Sequence, residues 1–395
     1  MTDPPPEKTT PVGDAAEERA MLLAAATPAA STDSVDEVKY LTQRQLWWRR
    51  LRRSKLGMAG GTIVVLLYLS AIFAGFLSPY SPNEQFISHI HAPPQLPKLL
   101  HDGGLQRPFV YPTAAQLTED GLERVYSMDT DAPRPIRFFV RGEESYKFIG
   151  LVPTTLRLFG TGEADAPWFP LGTDRMGRCQ LSRILHGGRI SLTIGLIGVA
   201  ITTILGTVIG VASGYFGGLT DTVVQRLIEL LMSFPAIPLW MALAAALPPD
   251  WSSLKVYFGI VTILSVVGWG GLARQVRGLV LATREADYIK AAKSAGATHR
   301  HVIFKHLVPS TYGYLIVIAT LAIPATILGE TALSFLGLGI RPPMTSWGVL
   351  LEEAQHVRVI VQFPWLLLPA LPVLLTVVAF NFLGDALRDA INQER

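Results

Sequence analysis

Six long apolar runs constrain this chain more than any other feature, each near the roughly 20 residues a helix needs to cross a hydrocarbon core of about 30 Å. They are Gly57–Leu77, Leu192–Ser213, Val223–Leu247, Tyr257–Leu279, Tyr312–Leu336 and Pro364–Ala386. In lipid a backbone has to satisfy its own polar groups, so runs of this length predict spanning helices rather than open strands. Composition agrees: 49% of the residues are hydrophobic, only 16% are charged, and the mean hydropathy is +0.34. The fold class expected is an all-α polytopic membrane protein with six transmembrane helices.

Charge beside the runs sets the orientation. Arg44–Lys55 (RQLWWRRLRRSK) packs six cations and a Trp pair against the first run, the pattern of an interface anchor. A second basic group, Arg274, Arg277, Arg284, Lys290, Lys293, Arg300 and Lys305, begins at the end of the fourth run and continues past it. Four spans lie between the two groups, so both fall on one face, which the positive-inside rule makes cytoplasmic. The N- and C-termini are then cytoplasmic as well. The formal charge of +3 forms no basic stripe, and no nucleic acid is expected as a partner.

The chain divides accordingly. Residues 1–43, rich in Pro, Ala, Thr, Asp and Glu up to about residue 38, form an expected disordered cytoplasmic tail. This is not a cleaved signal peptide, because the basic group and the apolar run come only after it and the run is too long. Residues 44–77 are the anchor and first helix, and 78–189 an extracytoplasmic insert. Residues 190–395 are a five-helix core with a cytoplasmic loop at 280–310. Arginines in the insert do not oppose this, since long loops translocate largely regardless of charge. Within the insert, Ile136–Val140 and Tyr146–Leu151 read as short strands and Leu117–Tyr126 as a short helix.

Three polar motifs interrupt the apolar pattern. Glu285–Pro309 reads EADYIKAAKSAGATHRHVIFKHLVP. Ala291 and Ala292 leave a helix surface without bulk that can seat in a partner's groove, and Gly296 permits the left-handed turn that ends the helix. Arg300, His301 and Lys305 continue a second short helix toward Pro309. Leu171–Arg178 reads LGTDRMGR, and Glu330–Leu350 reads ETALSFLGLGIRPPMTSWGVL. Together, in this order, they resemble the EAA coupling loop, the LGTDxxGRD motif and the EAALSFLGLGxxPPxxSWGxxL motif of bacterial ABC-transporter permeases of the dipeptide and oligopeptide branch (DppC/OppC-like). The likeness covers roughly Leu171–Arg388. Departures are Cys179 where the branch has Asp, Lys290 where the EAA triplet has Glu, and His306-Leu307-Val308-Pro309 at the loop's end. The Cys puts any ionic role of that side chain in doubt.

The resemblance implies an importer subunit that forms half of a translocation pathway and binds no cofactor itself, with ATP and Mg²⁺ on partners. Implied partners are a homologous second permease (DppB/OppB-like), two ATPase subunits, an extracytoplasmic solute-binding protein and the lipid bilayer. Tyr288–Gly296 would be the coupling helix, with Glu285, Asp287, Tyr288, Ala291, Ala292, Gly296 and Pro309 as the residues carried over. The implied solutes are di- or oligopeptides, with oligosaccharides or nickel as alternatives, and selection lies largely in the binding protein.

Other residues were weighed on their own chemistry. Gly172, Thr173, Asp174, Gly177 and Arg178 read as a polar turn ordering the outer mouth, with Arg178 tied to a carboxylate or to carbonyls, rather than as a catalytic group with Arg175. Glu330 is costly in lipid and should face the pathway or a partner helix, with Ser334 one turn later, as a packing and gate element. Gly195, Gly198, Gly206, Gly210, Gly214, Gly217 and Gly218 allow close helix approach. Phe234, Pro235, Pro238 and Trp240 bend the third span. No Gly-Lys dipeptide occurs, so no Walker A loop is present and ATP must be hydrolysed elsewhere. The eight histidines lack zinc-site spacing, HExxH and GxSxG are absent, and no metal is expected. An intramembrane enzyme would need polar pairs inside spans that the sequence does not offer. An ATP-independent channel or scaffold would leave the Ala291–Gly296 loop without a purpose.

Overall fold

The structure is a computed structural model, which describes residues 42–101, 104–117, 124–148, 150–163 and 166–392. Most of the tail expected at residues 1–43 lies outside the described residues. The chain forms two units, one up to Arg50 and one from Leu51 onward. Of the first, the beginning of α1 (Gln43–Arg53) is described, opened by Thr42, whose backbone N–H donates to the Gln45 side chain at 2.8 Å.

The second unit is dominated by helices. They are α2 (Lys55–Ile72), the short α3 (Ala74–Leu77), α4 (Gln180–Phe216), α5 (Gly218–Met232), α6 (Ala236–Ala245) and α7 (Ser253–Thr283). Then follow α8 (Asp287–Ser294), α9 (His299–Val302), α10 (Val308–Phe335), α11 (Trp347–Glu352), α12 (Val357–Gln362) and α13 (Ala370–Asn392). Five helical stretches among the described residues are long and apolar enough to cross a membrane, and six if α5 and α6 count as one broken span.

Three boundaries differ from the sequence reading. The run at Leu192–Ser213 belongs to a 37-residue helix beginning at Gln180, because Arg183, His186 and Arg189 dilute the apolar signal without interrupting the helix. The third run is not one helix: α5 and α6 meet at 84° across Ser233–Pro235. Pro235 precedes α6 in extended conformation, and Pro at that point cannot donate to a carbonyl of the turn before it. In the insert, the helix expected at Leu117–Tyr126 is replaced at its described ends by strands. β3 (Thr113–Leu117) pairs antiparallel with β4 (Arg124–Met128), where alternating Val125 and Tyr126 meet Gln116 and Ala115.

The rest of the insert is also sheet. β1 (Lys98–His101), β2 (Gly104–Val110) and β5 (Arg134–Pro135) make a three-stranded sheet in the order β1-β2-β5. β6 (Arg137–Phe148) and β7 (Val152–Gly160) form a long hairpin. One strand thus joins most of the segments Ile136–Val140 and Tyr146–Leu151, read as separate short strands, with a register irregularity between Arg141 and Tyr146, while Gly150 and Leu151 belong to the turn.

The helical core sits on α4. It packs against α7 and α10, while α13 lies along α2 and α10. Glycines make the α4 contacts possible. A Cβ on Gly210 would stand 2.6 Å from the Ala273 carbonyl, and one on Gly195 the same distance from Ile327, so only Gly lets these helices approach so closely. Buried Ile194, Ile260, Leu264 and Leu333 fill one cluster between α4, α7 and α10. A second cluster, Val211, Val276, Val280, Ile289, Val302 and Leu307, lies at the opposite end of α4 and holds the polar loop.

Candidate functional site

The loop at 285–309 folds as two short helices hung under the ends of α4 and α7. Asp287 stands in the first turn of α8, where a carboxylate suits the positive end of the helix dipole, and Lys293 stands in the last. Gly296 then takes φ +82°, a conformation that strains any other residue, and turns the chain toward α9. Thr298 caps α9, its hydroxyl accepting from the His301 N–H at 3.3 Å. A π turn over Ile303–Leu307 joins α9 to α10, which carries Pro309 in its first turn, where the missing N–H costs nothing.

One residue roots α8. Ile289 is fully buried among Val280, Val302 and Leu307. On the other side Tyr288 is half exposed, Ala291 and Gly296 are exposed, and Phe304 is 71% exposed. Glu285 and Asp287 are exposed, whereas Ala292 is half-buried. The loop therefore offers a surface of small residues flanked by two aromatics.

The stem that carries it is tied by Arg277 and Arg284, which the sequence marked only for orientation, and by Asp221, which it did not mark. Arg277 donates to both oxygens of Asp221, at 2.5 and 2.6 Å, and Ser213 donates to the same carboxylate at 2.6 Å. Arg284 donates to the Gly214 carbonyl at 2.9 Å, satisfying an orphan acceptor at the end of α4. Bidentate geometry of this kind fixes orientation as well as distance. Asp221 carries the only signal sequence offered, an acid in the first turn of an apolar helix.

At the opposite end of α4 lies the Gly172–Arg178 turn. Gly172 and Gly177 have φ +74° and +72°, and a Cβ on either would collide with the carbonyls of Ala92 and Phe86. Thr173 accepts from the Ala92 N–H at 2.8 Å. Asp174 is fully buried and accepts from the Met176 and Arg178 N–H groups at 2.8 and 2.9 Å and from Arg178 Nε at 2.7 Å. Arg183, in the first turn of α4, also donates to Asp174. Both guanidiniums reach on to Glu353 after α11, at 3.1 and 2.9 Å. Four charges thus satisfy one another in a buried cluster, two of which, Arg183 and Glu353, the motif did not contain. Cys179 is buried beside Phe169 and Ala92, and burial pushes its thiol up, away from any ionic role.

Glu330 is likewise enclosed by its own chain. Ser334 donates to it at 2.6 Å and Ser191 at 3.2 Å, and each serine accepts a backbone N–H in turn, from Ile340 and Trp347 at 3.2 Å. Gly348 lies so close to Ser334 that a Cβ would stand 2.7 Å from its side chain. Of the two surroundings expected for Glu330, the structure shows a neighbouring helix, α4. Among the described residues, no group of three or more His, Cys, Asp or Glu is placed to hold a metal ion.

With three motif regions placed on one helical frame, comparison with known proteins gives the family. Residues 206–395 match the binding-protein-dependent transport system inner membrane component, and residues 42–94 match the N-terminal TM domain of oligopeptide transport permease C. The dipeptide transport system permease protein DppC of Bacillus subtilis is 32% identical over 354 residues, which cover 89% of this chain and 86% of that protein. The chain belongs to this permease family. The oligopeptide transport system permease protein OppC of Haemophilus influenzae is 42% identical over 223 residues, 56% of this chain and 69% of its own. The glutathione transport system permease protein GsiD of Pectobacterium atrosepticum is 38% identical over 231 residues, 58% of this chain and 74% of its own. This permease is therefore a multi-pass membrane protein of binding-protein-dependent transport, in a family of transport subunits rather than enzymes. The strands β1–β7 lie between the two matched stretches.

Proposed function

We propose that the chain is one of two related permease subunits of an ATP-driven importer for peptides, with α5 and α6 counted as one broken span, six in all. The observation that carries the coupling part is the division within α8, where buried Ile289 ties the helix to the core while Tyr288 and Ala291 remain open, with exposed Phe304 in the π turn that follows α9. A push on such a helix passes to α7 and α10 through Val280 and Leu307, which share its cluster. Two ATPase subunits, carrying ATP and Mg²⁺, dock one on each permease, here on Glu285, Asp287, Tyr288, Ala291, Ala292 and Gly296, with Pro309 starting the span that receives the motion.

In this reading both termini and the loop are cytoplasmic, because Arg44–Lys55 and the basic loop share a face, and the insert at 78–189 is outside, beside the solute-binding protein. Gly172, Thr173, Asp174, Gly177 and Arg178 order the outer mouth, and Glu330 with Ser334 locks α10 to α4 beneath it. Peptides are favoured as solutes by the relatives, named for dipeptides, oligopeptides and glutathione. The test is uptake of labelled di- and oligopeptides by cells with and without the chain, competed with oligosaccharides and with nickel. Peptide uptake that requires the chain supports the reading. Uptake of sugar or nickel instead replaces the solute, and uptake that persists when ATP is exhausted removes the importer class.

A further inference from the structure

The β6–β7 hairpin runs back along the first spanning helix, toward the membrane rather than away from it. Three contacts in order show the direction. Arg157 donates to the carbonyls of Gly75 and Ser78 at 3.2 and 3.3 Å. Nearer the hairpin tip, the Tyr146 ring packs on Gly75 so closely that a Cβ there would overlap it. At the tip, Phe148 stacks at 5.7 Å from Phe73. Moving from Arg157 to Phe148 along the hairpin thus means moving from Ser78 to Phe73 down the helix.

The helix and the hairpin enclose between them a groove of about 810 Å³ that runs along the hairpin from Phe139 to Val152. Leu66, Leu69 and Phe73 form one wall and Phe139, Phe148 and Val152 the other, and the lining is almost wholly apolar. From Phe73 to Leu66 the helix descends roughly 10 Å. Leu66 and Leu69 are exposed on a helix that crosses the bilayer, so the groove is continuous with a surface that faces lipid. The hairpin continues that surface. Leu151 is 80% exposed, and Phe138, Phe139 and Val152 are exposed by more than half.

A second hollow adjoins the first along the hairpin and has a different chemistry. It is lined by Arg141, Ser145, Pro153 and Thr155, and it shares Thr154 and Leu156 with the apolar groove. Arg141 pairs with Leu156, farther from the tip than Phe148 and Val152, and a guanidinium set back in this way beside an apolar slot that opens to lipid matches a phospholipid with its phosphate at Arg141 and a chain toward the tip. Arg141 and Lys147 are both exposed on β6, and the long Lys147 stem can lift its ammonium from the tip to the head-group level.

We propose that the β6–β7 hairpin rides in the interfacial zone of the leaflet on the insert's side. There the groove holds an acyl chain of a phospholipid whose phosphate lies against Arg141. The depth is limited by the backbone: a two-stranded hairpin has unpaired edges, which hydrocarbon cannot satisfy but the hydrated interface can. The proposal rests on the spanning character of α2 and not on which solute is carried or whether an ATPase docks.

The test uses the full chain in vesicles of phosphatidylethanolamine and phosphatidylglycerol, with an environment-sensitive fluorophore on Leu151→Cys. Cys179 is fully buried and does not compete for the label. Val125→Cys on β4, exposed in the insert, is the aqueous control. The Leu151 label should lose most of its fluorescence in lipid brominated near the head-group end and little to iodide, while the Val125 label does the reverse. Iodide quenching of both labels alike overturns the proposal, and so does a Leu151 label shielded from both quenchers, which would mean a protein covers the groove. Native mass spectrometry of the detergent-purified chain should show a retained phospholipid that Leu69→Trp, filling the slot, displaces. Equal lipid retention by both proteins also overturns it.

Discussion

The two polar ends of α4 solve the same problem in opposite ways. At the Gly172–Arg178 end, Asp174, Arg178, Arg183 and Glu353 are buried and paired with one another, and the turn closes on Ala92 and Phe86. At the Glu285–Pro309 end Ile289, Val302 and Leu307 are buried in the core, while Tyr288, Ala291 and Phe304 are exposed. A saturated cluster has nothing left to offer a partner, so its work is to hold helices together. An open platform has contributed little to its own fold and keeps its surface for something else.

Stability measurements can break that contrast. Asp174→Ala strips two buried guanidiniums of a shared partner, and losing one member of a buried pair costs about 3–5 kcal/mol. Its thermal midpoint in detergent should fall by far more than that of any loop variant, and an unchanged midpoint would show that the cluster holds nothing. Gly296→Val should come next. Nothing lies within 4 Å of the position of its Cβ, so only the strain at φ +82° acts, of order 1–3 kcal/mol.

Acid provides a smaller and separate effect on the insert. Burial holds His89 and His91 below the usual histidine value of about 6.5. Below that pH the unfolded chain takes up protons that the folded insert refuses. The insert's stability is therefore full above about 6.5 and declines as pH falls through the depressed values. His89→Gln should flatten part of the fall in a midpoint-against-pH series, and a slope of opposite sign would contradict the buried neutral histidine. Smallest of all, Phe304→Ser on the open face should move the midpoint by no more than about 0.5 kcal/mol in stability. A large loss there would mean the platform is core and not surface.

Much of this was legible in the sequence because lipid makes helices long and apolar. The runs located the helical stretches, and the three motifs located the turns. What the sequence hid has physical causes. The α5–α6 bend is written as one apolar run, since hydropathy does not register direction, and only Pro235 hinted at it. Two members of the Asp174 cluster were missed, because Arg183 reads as part of an amphipathic helix start and Glu353, which accepts from it, lies 170 residues further on. The segment Leu117–Tyr126 read as a helix because Leu122 and Tyr126 stand four apart, while the pairing of Thr113–Leu117 with Arg124–Met128 leaves no local period. Gly296 was plain from sequence, because a left-handed turn has few other residues to use.

The most direct test of the account is the open platform itself. Ala291→Trp places bulk on the exposed face of α8 without touching Ile289. The permease complex carrying it would be purified from its host by a tag on this chain, and the retained ATPase subunits and peptide-stimulated ATP hydrolysis compared with wild type. The account predicts a chain of unchanged thermal midpoint that retains little ATPase and shows no stimulation. Full retention and normal stimulated hydrolysis would contradict it, and the Glu285–Pro309 loop would then be only a solvated connection between spans.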